Sequence, residues 1–135
     1  LNSAPFKLKP QAHFYVGETI THLTKCNLTP GGVQSLLYTT VLGAVGVLVP
    51  FENREDVDFF SHLEINVKQE NPPICGRRHE VFRSFYYPVK SVIDGDLCEQ
   101  FSELRNESQQ RIAKSLERSV NEVNKKLEDI RNRVL

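Results

Sequence analysis

Methionine and tryptophan are absent from these 135 residues, and cysteine occurs only three times, as Cys26, Cys75 and Cys98. A chain that opens at Leu1 and holds no methionine is expected to be a fragment or a processed product. An odd, widely spaced set of cysteines excludes a disulfide framework and fits a reducing compartment. That usage also argues against secretion, so Asn27-Leu28-Thr29 reads as a chance match to a glycosylation acceptor. Charge of one sign is missing too, because 17 Lys and Arg residues balance 17 Asp and Glu residues. Such a balance provides no global field for drawing in nucleic acid. No apolar run approaches the roughly 18–20 residues required to span a bilayer.

The chemistry of a catalytic or metal centre is equally sparse. Cys75 and His79 stand four apart, and Cys98 could join them. No paired-cysteine spacing accompanies them, and a structural zinc site requires four ligands. They read as free thiols and a surface histidine. Asp94-Gly95-Asp96 lacks the further ligands of a calcium loop, so it reads as a turn with a helix cap. Ser84 has no glycine-flanked elbow, and Gly43-Ala44-Val45-Gly46 has neither the spacing nor the lysine of a phosphate loop. His13, His22, His62 and His79 are scattered. The expectation is no catalytic residue, no metal, no cofactor and no enzymatic activity.

What the chain does contain is strand patterning followed by helix patterning, an α+β organisation. Ala12–Val16 predicts a short strand ending at Gly17. Thr19–Cys26 is β-prone, but Ile20 and Leu23 have opposite parity, which predicts a bulge or packing on both faces. Thr29-Pro30-Gly31-Gly32 predicts a turn. Ser35–Val41 and Val45–Val49 are near-continuous apolar runs of the kind found in strands covered on both faces. Leu42-Gly43-Ala44 is their hairpin turn, with Gly43 supplying a positive φ. Gly46 leaves room for a backbone or an aromatic ring. About four short strands therefore lie within 12–50.

Beyond residue 52 the period changes. Asn53 with Asp56 predicts a weak capping box, and Val57, Phe60, Leu63 and Val67 predict one buried helix face, ended by Asn71-Pro72-Pro73. Asp94 and Asp96 open a helix with Leu97, Phe101 and Leu104 on one stripe. Cys98 reads as core. Glu107–Arg118 predicts a helix carrying Ile112 and Leu116. Ser119 and Glu122 form a capping box before Val120, Val123, Leu127, Ile130 and Val134. Glu122–Lys126 and Asp129–Arg133 predict i,i+4 ion pairs worth about 0.2–0.5 kcal/mol each. Phe82, Phe85 and Phe101 are expected to share a core with Val123, Leu127 and Ile130.

Between these halves lies a stretch dense in aromatic and basic groups. Arg77, Arg78, Arg83, Tyr86, Tyr87 and Lys90 admit three readings: a protein–protein hot spot, a surface for stacking on bases, or a packed junction with locally paired arginines. The first makes these six residues the candidate protein interface.

Residues 82–101, FRSFYYPVKSVIDGDLCEQF, resemble the C-terminal region of the large propeller-scaffold family. That family includes the large damaged-DNA-binding subunit, the largest cleavage-and-polyadenylation specificity subunit and the propeller subunit of splicing factor 3b. The resemblance extends through Gly43–Phe51, Arg54–Phe60, Pro72–Arg77 and Lys125–Arg131. LCEQF and KKLEDIR place it closest to the splicing branch, the third subunit of splicing factor 3b. It implies terminal strands, about one blade of an incomplete β-propeller, over 1–52 and a C-terminal α-helical region over 53–135. It also implies a nuclear, non-enzymatic scaffold of splicing factor 3b in the U2 small nuclear ribonucleoprotein, acting in branch-site recognition. The implied partners are the helical-repeat large subunit, the small subunits and the rest of its own propeller chain, with pre-mRNA contact at most indirect. The alternatives within the family are an adaptor of a cullin ubiquitin ligase and a polyadenylation-factor scaffold.

Overall fold

The computed structural model describes residues 7–71 and 91–133. Three antiparallel strands, β1 (Ile20–Cys26), β2 (Ser35–Thr40) and β3 (Val45–Leu48), form a sheet in the order β1-β2-β3. Among the described residues four α-helices follow: α1 (Arg54–Glu70), α2 (Gly95–Glu99), α3 (Asn106–Ser115) and α4 (Val120–Asn132). A 3-10 turn, Gln100–Glu103, separates α2 from α3. The chain is α+β.

Local chemistry explains the turns. Pro30 and Gly31 (φ +76°) occupy the two centres of a turn closed by the Gly32 N–H donating to the Thr29 carbonyl at 3.0 Å. Only a residue tolerant of positive φ fits the third place of such a turn. The β2–β3 connection closes through Gly43 N–H to Thr40 O (3.1 Å) and Thr40 N–H to Ala44 O (3.0 Å), with Gly43 at φ +89°. The Thr40 hydroxyl accepts from the Ala44 N–H and donates to the Glu18 carboxylate, tying the lead-in of β1 to the hairpin.

Pairing also accounts for the parity conflict in β1. Ile20 faces Thr40 and His22 faces Thr39, so the register shifts between them, while Leu23 faces Tyr38. A β-bulge moves the later residues onto the other parity. Gly46, opposite Tyr38 in β3, lies beneath the Tyr38 ring. A Cβ there would come within 2.1 Å of Tyr38 Cζ. The strand expected over 12–16 is not formed; within it only His13 makes an isolated bridge, so the described residues hold three strands rather than four. β propensity alone does not make a strand without a neighbouring ladder to extend it.

The helices close a core of their own. Phe59, Phe60, Leu63 and Val67 of α1 meet Leu97 and Cys98 of α2, Phe101 of the 3-10 turn, Ile112 and Ala113 of α3, and Val123 and Leu127 of α4. Burial of an aliphatic or aromatic side chain of this size contributes about 1.5–3 kcal/mol relative to exposure. Phe51, Ile93, Leu104, Leu116, Val120 and Ile130 seal its margins. Two sequence expectations are corrected here. The buried face of α1 keeps Phe60, Leu63 and Val67 but also takes in Asp56 and Phe59, whereas Val57 is exposed. The stripe Leu97–Phe101–Leu104 is not one helix, because the backbone tightens at Gln100 and becomes extended at Leu104. Gln109 holds that exit, its side-chain amide donating to the carbonyls of Phe101, Ser102 and Leu104 at 3.0–3.1 Å.

Helix ends follow the sequence in two cases and depart in two. Asp94 accepts from the Leu97 N–H at 3.2 Å, and Ser119 with Glu122 forms the full capping box. These contacts with Ser119 hold the Glu122 carboxyl below the usual carboxylate range. Asn53 occupies the cap position of α1 but makes no side-chain cap bond. α3 stops at Ser115 rather than at Arg118. Glu117 adopts a left-handed φ of 55°, and the N–H groups of Glu117 and Arg118 return to Lys114 and Ala113. This is the hydrogen-bond pattern of a Schellman motif, with glutamate where glycine is usual.

Candidate protein interface

Arg77, Arg78, Arg83, Tyr86, Tyr87 and Lys90 lie outside the described residues, as do Phe82, Phe85, Cys75 and His79. The two ends of their segment are fixed on the helical core. At one end, Asn71 donates its backbone N–H to Val67 O at 2.9 Å and its side-chain amide to Gln100 Oε1 at 2.8 Å. At the other, Ser91 has φ 55°, Ile93 packs against the core, and Asp94 caps α2. A segment carrying the six candidate residues thus leaves and rejoins the same helical unit, through α1 and α2.

The sheet presents a different surface. Leu23 and Ile20 of β1, Val41 and Leu42 of the hairpin turn, and Val45 of β3 are all exposed, Leu42 to 79%. Single exposed aliphatics are ordinary, but these lie on two edge strands and the turn that joins β2 to β3. Near-continuous apolar runs had suggested strands covered on both faces. β2 has buried Ser35, Tyr38 and Thr40, whereas β3 has no buried residue.

Charges are arranged across helices rather than along them. Lys126 and Arg133 do not complete the predicted pairs with Glu122 and Asp129. Both reach Asp56 instead, Lys126 Nζ to Oδ1 at 2.7 Å and Arg133 Nη1 to Oδ2 at 3.7 Å. Lys126 also stands 5.0 Å from the centre of the Phe59 ring. Its hydrogen bond, aided by the positive charge of Arg133, holds the Asp56 carboxyl below the usual range against the opposing effect of burial. Arg131 pairs with Glu99, Arg111 with Glu70 at 2.5 Å and Arg118 with Glu55 at 3.5 Å. An Asp three residues into α1 gave no sequence signal for this role, because its partners lie about seventy residues away.

Among the described residues, no group of three His, Cys, Asp or Glu side chains converges as a metal site. Cys98 is buried with its thiol 3.8 Å from Phe60 O, and burial pushes its pKa up, away from the thiolate a nucleophile needs. Nor is any described helix long and apolar enough to cross a membrane.

The family described as "CPSF A subunit region" matches residues 2–103, and the chain belongs to it. Within that family the chain is similar to the "Probable splicing factor 3B subunit 3" of Dictyostelium discoideum, 55% identical over 135 residues. It is 52% identical to "Spliceosome-associated protein 130 A" of Arabidopsis thaliana over 135 residues, and to "Splicing factor 3B subunit 3" of Danio rerio over 133. The first two alignments cover all of this chain and the third 98% of it, but only 11% of each relative. The chain therefore spans about a tenth of the length of the curated relatives it matches.

Proposed function

We propose that this chain is part of a non-enzymatic scaffold of the splicing factor 3b complex, acting in pre-mRNA splicing in the nucleus. The observation that carries the reading is identity of about half of all positions, along the whole chain, to relatives named as splicing factors. Residues 1–52 are the terminal strands of a β-propeller whose remaining blades lie in the rest of the full-length protein. Residues 53–135 are its C-terminal helical region. An exposed apolar sheet beside a self-contained helical core supports that division. Arg77, Arg78, Arg83, Tyr86, Tyr87 and Lys90 form a contact surface for other subunits of the complex, the helical-repeat large subunit among them. The work done is positioning by buried surface, in U2 particle assembly at the branch site, with no bond made or broken.

The test is affinity purification of the tagged full-length protein from nuclear extract, with partners identified by mass. Splicing factor 3b subunits are the expected catch. Cullin-ligase or polyadenylation components in their place would move the protein to another branch of its family. Changing Arg77 and Arg78 together to Ala is expected to weaken that assembly without altering thermal stability.

A further inference from the structure

We draw no further inference here: the strongest candidate, the exposed apolar surface of the sheet at Leu23 of β1, Leu42 of the β2–β3 turn and Val45 of β3, carries nothing beyond the propeller reading already proposed, because nothing in the structure shows what covers it.

Discussion

The sheet and the helical unit bury their apolar residues in opposite ways. In the helices, Leu63, Val67, Phe101 and Val123 are completely enclosed by one another. In the sheet, Leu23, Val41, Leu42 and Val45 are mostly in water, and its buried side chains are Ser35, Tyr38 and Thr40. One half of the chain has solved its burial problem internally, whereas the other half carries apolar surface of a kind that larger assemblies cover. Apolar content does not separate the halves, since both contain many Val, Leu and Phe residues. The difference lies in geometry: four helical segments enclose a volume, whereas three strands in one sheet have two open faces.

The largest effect expected from this contrast is a truncation in the closed core. Phe101→Ala should cost about 3–5 kcal/mol, while Leu42→Ser should change stability by less than about 0.5 kcal/mol. Denaturant melts of the two variants test this, and equal losses would erase the distinction between the regions.

A smaller loss should come from Asp56→Asn, on the order of 1.5–3 kcal/mol at neutral pH, because a charge-assisted hydrogen bond is lost from a largely buried site. The sign of its pH dependence is fixed. The folded-state carboxyl titrates below its unfolded value of about 4, so the stabilisation is present above that pH and lost as pH falls through the lower folded value. Parent and variant melts should therefore converge in acid. A gap that stays constant from neutral pH to about pH 2 would show that the carboxylate charge is not the source.

In the sheet the sensitive position is a glycine rather than a large side chain. Gly46→Ala should cost about 1–3 kcal/mol by displacing the Tyr38 ring. The double change with Tyr38→Ala should recover part of that loss, which a double-mutant cycle measures. Additivity of the two would mean that the ring and the glycine act separately.

The smallest effect is a gain. Glu117→Gly should raise the melting temperature slightly, by relief of about 0.5–1 kcal/mol of left-handed backbone strain at the end of α3. The same substitution at Glu107, in the first turn of α3, should lower it. A loss at both positions would mean that the Glu117 side chain itself is needed.

Features governed by adjacent residues were legible in the sequence. The Thr29–Gly32 turn, the positive φ at Gly43 and the caps at Asp94 and Ser119 follow from residues near in sequence, whereas the bulge in β1 and the ring over Gly46 were each one of two alternatives that strand pairing decided. Sterics and short-range hydrogen bonds leave the turns and caps few alternatives. The stripe Val120, Val123, Leu127 and Ile130 of α4 was legible for the same reason, and Val134, the last residue expected on it, lies outside the described residues. Which groups those helices would meet was not legible. Asp56 read as half of a weak cap, and Lys126 and Arg133 read as partners of acids one turn away. Packing α4 across the start of α1 brought both cations to a carboxylate with less access to water, where attraction is stronger than along an exposed helix face. The same packing added Asp56 and Phe59 to the buried face of α1 and left Val57 exposed. The sequence by itself determined where the chain turns and where its helices begin. Only tertiary structure decided which charges pair and which apolar residues go uncovered, because both depend on surfaces that meet across long stretches of chain.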